Sequence, residues 1–465
     1  MVDKLLNIFR IPDLRKRVLF TLGLLAVYRL GGHISTPGIN SDLLLQFFQQ
    51  QQGSILGFID LFSGGQMRRL TIFALGIMPY ITASIILQLL TVVYEPLAKL
   101  QKEGELGRKK ITQWTRYLTV ILAAVQSLGI AFTLQKATSG GTAFVTHPGP
   151  SFILMTMLTL TTGSAFIMWL GEQITQRGVG NGMSLLIFAG IVVGLPRGVI
   201  DLVDKARTAA WGAFTVPAML ILVVGMVVVV AFIVYVERSE RRIPVQYAKR
   251  VIGRKVMGGQ TTHLPLRVNS GGVMPVIFAS SILTLPQTAG YLFQNNRYFK
   301  PVLEALRWGE PLYTLLYAVG IIFFAYFYVS IVFNPKEVAD NMRKYGGFIP
   351  GIRPGQRTAD YVNDILTRVT LVGALYLIVI SFIPEWMITG IRLNHLPLWL
   401  GGGVFERLPS WVTNGLGVNF YFGGTSLLIV VGVAMDTAQQ IESQLIMRHY
   451  EGFTKSGRIR GRRTW

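Results

Sequence analysis

The chain contains no cysteine, which excludes disulfides and thiolate metal sites. Charge is scarce as well: 14% of its 465 residues are Asp, Glu, Lys or Arg, where soluble domains carry about 25%. Acidic residues are the rarer kind, 23 against 44 Lys and Arg, which leaves a formal charge of +21. The five histidines (His33, His147, His263, His395 and His449) sit in connections or at the edges of apolar runs. No two of them have the spacing of helical metal ligands. No glycine-rich loop ends in Gly-Lys-Ser or Gly-Lys-Thr, so nothing predicts nucleotide hydrolysis by the chain itself. These shortages exclude an ordinary soluble enzyme, a disordered chain and a disulfide-stapled one, and no cofactor is called for.

What is abundant is apolar sequence, 51% of the residues, with a mean hydropathy of +0.47. It comes in blocks of about 20 residues, long enough to cross a bilayer as helices. Ten blocks are predicted to span: Val18–Ile34, Leu70–Tyr94, Tyr117–Leu134, Phe152–Leu170, Met183–Val203, Val216–Val236, Gly272–Phe293, Leu312–Phe333, Val369–Ile388 and Gly424–Ile441. Arg29 interrupts the first and Asp436 the last. In the tail 1–17, Leu5, Leu6, Ile8, Phe9 and Leu14 alternate with Lys4, Arg10 and Arg15, the pattern of an amphipathic helix on a membrane surface. No small-residue cleavage site follows, so this start is not read as a signal peptide.

Ten spans put both ends on one side. The N-tail, the connections after the even-numbered spans and the C-tail 442–465 hold 32 of the 44 Lys and Arg. Cytosolic segments gather such residues, so both termini are expected in the cytosol. The cytosolic connections Glu237–Gly271 and Asn334–Arg368 have 35 residues each and are rich in Arg, Lys, Gly and Pro. They are read as hairpins or short helices presenting cations to a partner, or as segments whose cations only enforce topology.

Two apolar details stand out. Ile81/Ile85 and Ile187/Ile191 are isoleucine pairs at i and i+4, each on one face of its helix. Such a face usually serves lipid or a neighbouring helix. The segment Ser54–Gly65 (SILGFIDLFSGG) is amphipathic but too short to span, and Gly64 and Gly65 predict a flexible attachment.

Five long stretches, in order, resemble one family: GIMPYITASIILQLL (76–90), GVGNGMSLLIFAGIVVGLP (178–196), GGVMPVIFASSIL (271–283), GIRPGQRTADYV (351–362) and FGGTSLLIVVGVAMD (422–436). The sequence closely resembles the SecY family, the channel subunits of the protein-conducting translocon. The resemblance implies an all-α integral membrane fold of ten transmembrane helices. Two pseudo-symmetric five-helix halves (18–203 and 204–441), an inverted repeat, would surround a central hourglass pore. It implies a pore ring of Ile81, Ile85, Ile187, Ile191, Ile277 and Ile429. It implies a plug within 54–65, with Ile55, Leu56, Phe58, Ile59, Leu61 and Phe62 as its apolar residues. A lateral gate is implied with Thr82, Gln88, Ser280, Ser281 and Gln287 along its seam, where ordinary interhelical hydrogen bonding is the alternative reading.

The same resemblance makes the cationic loops docking sites. Arg241, Arg242, Lys249, Arg250, Arg254 and Lys255 form one patch; Arg353 and Arg357 form another. The partners it implies are the small membrane subunits SecE and SecG, the motor ATPase SecA, the ribosome, signal peptides with the secretory chains that bear them, and anionic lipids. The location it implies is the bacterial cell membrane. One departure is Thr389–Gly423, a 35-residue outer loop with Trp399 and Trp411 where the family has a short connection. It is read as a shelter for the outer mouth or as an insertion with no transport role. A secondary transporter is the competing class, and it rests on Asp436 as an intramembrane acid. A membrane enzyme has no nucleophile and base pair to support it.

Overall fold

The computed structural model describes residues 11–50, 63–136, 138–139, 142–208, 215–247, 250–252, 255–257, 261–290, 301, 305–306, 310–389 and 424–456. The plug residues Ile55 to Phe62, the tail residues before Ile11 and the outer loop 390–423 lie outside the described residues.

Helices dominate. In chain order they are α1 (Pro12–Gly31), α2 (Ser41–Gln50), α3 (Met78–Val93), α4 (Glu95–Lys102), α5 (Glu105–Lys136), α6 (Pro150–Arg177) and α7 (Gly182–Arg207). They continue as α8 (Thr215–Arg238), α9 (Met274–Gly290), α10 (Pro311–Val332), α11 (Pro335–Lys344), α12 (Gln356–Thr389) and α13 (Gly424–Ser456). Proline opens several of them (α1, α6, α10 and α11), where its missing N–H is no loss. At α11 the Asn334 side chain also accepts from the Lys336 amide at 3.2 Å, an N-cap. Each predicted span falls on one of these helices. Among the described residues, five helices are long and apolar enough to cross a membrane, six if α3 and α4, bent by 105°, count as one broken span. Exposed Leu154 and Leu158 on α6, Val223 and Val227 on α8, and Leu315 and Val319 on α10 give outward faces suited to lipid.

The helices extend beyond the predicted edges. α5 starts at Glu105, α12 at Gln356, and α13 runs on to Ser456, because polar sequence continues a helix that apolar sequence begins. The second span is shorter than predicted: Leu70–Ile77 is apolar but not helical, and α3 starts only at Met78. Leu70 has a φ of +42° and Gly76 one of +57°, both incompatible with a continuing right-handed helix. The segment pairs instead with the chain after α1, through Thr36 N to Leu70 O (2.9 Å) and Ile72 N to Ile34 O (3.0 Å). Such backbone is tolerated at membrane depth only when buried in protein. Leu70, Thr71, Phe73, Ala74 and Leu75 are all buried. Tyr28, Phe73, Phe166 and Trp169 form a stacked file across it, with ring centroids 5.6 to 5.9 Å apart.

The chain divides into two compact units, Met1–Pro196 with Val433–Trp465, and Arg197–Gly432. In the first, α3 packs on α5 and α5 on α6, and Leu44, Met67, Leu70, Phe144 and Leu160 share a core. In the second, α9 packs on α10 and α10 on α12. Phe278 meets Phe324 edge to face at 5.8 Å there.

Within this mostly helical fold, several connections contain short strands. β1 (Thr138–Ser139) and β2 (Thr142–Ala143) form a small turn, and β4 (Arg250–Ile252) pairs β5 (Lys255–Met257) as a short hairpin. β3 (Glu240–Tyr247), β6 (Thr261–Arg267) and β7 (Gly347–Phe348) form an antiparallel sheet in the order β6-β3-β7. β3 alternates, with Ile243 and Val245 inward and Arg242, Pro244 and Gln246 outward. The inward pair joins Leu266, Met342, Ile349 and Val362 in one apolar core. The two long connections are therefore one small subdomain.

Candidate functional site

All six isoleucines of the expected ring are buried: Ile81 and Ile85 on α3, Ile187 and Ile191 on α7, Ile277 on α9 and Ile429 on α13. Burial removes the lipid-facing reading of the pairs. The structure brings the first four into the first unit, while Ile277 and Ile429 belong to the second.

The foot of α7 is fixed by hydroxyls. The Thr21 hydroxyl of α1 accepts from the Val179 amide at 3.1 Å and donates to the Arg17 carbonyl at 2.9 Å. The Thr175 hydroxyl accepts from the Gly182 amide at 2.9 Å. Glycine is required at 182, where a Cβ would lie 1.9 Å from the Gly171 carbonyl oxygen. Leu14, Val179, Ile441 and Leu445 close this turn with an apolar cluster. The GVGNG motif thus ties α1, α6, α7 and the lower part of α13 together.

Beside the ring helices lies an ion pair. Arg116 Nε on α5 donates to Glu172 Oε1 on α6 at 2.7 Å. Asp436, by contrast, is exposed on α13.

Two of the expected gate residues, Gln88 and Ser280, make hydrogen bonds within their own helices. Gln88 Nε2 donates to Ser84 Oγ at 3.3 Å, and Ser280 Oγ donates to the Ile277 carbonyl at 2.9 Å. Thr82 and Ser281 are buried, and the Ser281 hydroxyl has no hydrogen-bond partner among the described residues. The Gln287 side chain lies outside the described residues.

On the subdomain built by β3, β6, β7 and α11, Arg241, Arg242, Arg353 and Arg357 are exposed. Arg242 Nε pairs Glu240 Oε1 at 2.7 Å. Arg353 sits in a turn bounded by Gly351 and Gly355, both at positive φ. Its carbonyl accepts from the Thr358 hydroxyl at 2.9 Å, and neighbouring Ile349 and Ile352 pack into the core shared with β3. Arg250 and Lys255 lie on the β4–β5 hairpin; Lys249 and Arg254 lie outside the described residues.

A profile of the SecY family matches residues 71–438. The chain belongs to the SecY family. It is 46% identical over 452 residues to the protein translocase subunit SecY of Escherichia coli K12, covering 97% of this chain and 96% of that one. Its fold matches a solved protein-conducting channel with a TM-score of 0.62 at 17% identity, covering 93% of each chain. It also matches Sec61 in the canine ribosome–channel complex from the endoplasmic reticulum, with a TM-score of 0.57 at 16% identity. This member of the SecY family is a multi-pass membrane protein and a channel subunit.

Sequence reasoning missed three things: the Thr21 latch, the Arg116–Glu172 pair and the sheet that joins the two long loops 237–271 and 334–368. The inward alternation of Ile243 and Val245 was the one available signal for the sheet.

Proposed function

We propose that the chain is the pore-forming subunit of a bacterial protein translocase, with ten spans in two inverted halves and both termini in the cytosol of the cell membrane. It passes unfolded secretory polypeptides across the bilayer and releases apolar segments sideways into lipid. The six isoleucines form the constriction. A narrow ring of branched apolar side chains dewets and resists ions. It also lacks fixed hydrogen-bond geometry, so it fits around any passing sequence.

Spans two and three on one side, and seven and eight on the other, open as the gate when an apolar signal segment enters. The residues Ile55 to Phe62 cap the ring at rest. The chain has no catalytic site of its own; SecA or the ribosome supplies the drive, and SecE and SecG complete the complex. Exposed arginines on the cytosolic subdomain suit carboxylates of a motor or phosphates of ribosomal RNA. Arg353 stands in the turn between Gly351 and Gly355, and anionic lipids meet the remaining cations.

The observation that carries this reading is the burial of all six isoleucines on four helices, in a chain related to SecY along nearly its whole length. The test is reconstitution with the small subunits in vesicles, then addition of SecA, ATP and a signal-bearing precursor. The expected result is precursor protected from protease inside the vesicles, dependent on this chain. Equal protection in vesicles without it contradicts the proposal.

A further inference from the structure

The β6-β3-β7 sheet and helix α9 meet in one turn, 268–273. A backbone bond from the Val268 amide to the Ser239 carbonyl, at 3.0 Å, carries the ladder one step past the final strand pair, Glu240 with Arg267. Just beyond the turn α9 begins at Met274 and carries Ile277, Ser280 and Ser281. Within the turn Asn269 is 6% exposed, and its amide group is fully engaged. Its Nδ2 donates to Glu237 Oε1, at the end of α8, at 2.6 Å, and to the Gly272 carbonyl at 3.1 Å. The first is a charge-assisted bond, the stronger kind. Gly272 has a φ of +57°, and its amide donates back to the Asn269 carbonyl at 3.3 Å. A third element closes the turn. On α12 a Cβ built on Gly373 would lie 2.6 Å from the Val268 carbonyl oxygen and 3.5 Å from the Asn269 Cα. Thr370 and Tyr376, one turn either side of Gly373 on the same face, are buried. One buried side chain thus ties the end of α8 to the foot of α9, with α12 as the wall.

We propose that Glu237 and Asn269 form a clasp that sets where α9 starts, and that Asn269 is a positioning residue for signal selectivity. It is neither a ring nor a gate residue; it acts through α9, which carries one residue of the ring and two of the gate. The inference rests on the ring and gate assigned under the proposed function. With the clasp shut, α9 keeps its place until an apolar signal segment enters. With the clasp broken, α9 shifts without one, and precursors lacking a working signal pass.

The test measures translocation of precursors with intact and with defective signals into vesicles holding the assembled complex, with SecA and ATP. Asn269→Asp sets two carboxylates against each other and is expected to raise passage of the defective-signal precursor severalfold. Glu237→Gln keeps an acceptor for Asn269 Nδ2 and is expected to behave as the parent. The double variant Glu237→Gln/Asn269→Asp reverses the bond, with the amide group at 237 donating to the carboxylate at 269. It is expected to regain most of the parent's selectivity, a recovery that general damage to the turn does not give. Gly373→Ala presses on the Val268 carbonyl from α12 and is expected to act like Asn269→Asp. Ile243→Ala loosens the core under β3 and is expected to stay selective. A selective Asn269→Asp, a double variant no better than it, or equal loss of selectivity in Ile243→Ala overturns the clasp.

Ile277→Ser, run in parallel for resting ion leak, separates the clasp from the ring. Leak there with a selective Asn269→Asp leaves the ring standing and the clasp refuted. A sealed Ile277→Ser refutes the ring and the clasp with it. Should Asn269→Asp fail to accumulate, hydrogen exchange on the parent complex decides. The amides of Val268 and Gly272 are expected to lose protection when an intact precursor engages, and unchanged protection overturns the proposal.

Discussion

The Arg116–Glu172 pair joins α5 to α6 and gives a prediction whose magnitudes follow from unequal burial. The carboxylate side chain is 14% exposed and the guanidinium 40%. Breaking a fully buried pair costs about 3–5 kcal/mol, and an exposed one contributes about 0–1 kcal/mol. Arg116→Gln strands the buried carboxylate, so it should cost about 2–3 kcal/mol, near the buried limit. Glu172→Gln leaves a guanidinium that still reaches outside the bundle, so about 1–2 kcal/mol is expected once that exposure is discounted. The double variant should lose less than the sum, with a coupling of about 1–2 kcal/mol. The assay is a double-mutant cycle on the unfolding of the purified complex in detergent. Additive losses, or an Arg116 variant no worse than the Glu172 variant, would refute the reasoning.

Thr21→Val keeps the shape but leaves the Val179 N–H without its acceptor, at a cost of about 1–3 kcal/mol. Protease susceptibility of the 178–182 turn should rise, whereas Thr21→Ser should behave as the parent. Ile243→Ala should destabilise the subdomain that holds β3 by about 2–4 kcal/mol, as large-to-small core changes do. Because the core is shared, limited proteolysis should speed up in both 237–271 and 334–368; acceleration in the first alone would show that the loops are separate. Asp436→Asn should transport precursor at nearly the parent rate, as an exposed group allows, and a loss of about tenfold or more in transport rate, roughly 1.4 kcal/mol of barrier, would revive the secondary-transporter reading.

Much of the fold was legible because hydropathy is a local property. Ten apolar runs marked ten helices, and the charge bias suggested their orientation. The edges were less so. Leu70–Ile77 is as apolar as a span, yet its shape is set by pairing to residues 34–36 and by the left-handed Leu70. Polar residues at 105–116 and 356–368 continue helices that no apolar pattern announces.

The β6-β3-β7 sheet was hidden because β3 meets β7 across about 100 residues of sequence, and a two-residue strand leaves no periodicity. As for the site, the isoleucine pairs at 81/85 and 187/191 were visible but ambiguous. The resemblance to the family singled them out, and burial removed the lipid-facing alternative. Contacts such as Thr21 to Val179, or Asn269 to Glu237, depend on distant segments meeting within a few ångströms. A lone threonine or asparagine in a sequence carries no mark of its partner.

The central claim is that a polypeptide passes through the isoleucine ring, and the absence of cysteine gives it a direct test. One cysteine is placed at Ile191 or Ile277 and one in a signal-bearing precursor stalled midway through membranes containing the complex; the sample is then oxidised. A disulfide adduct that depends on the signal sequence is the predicted result. No adduct at the ring, while a control cysteine at exposed Gln246 cross-links to the docked motor, would contradict the account.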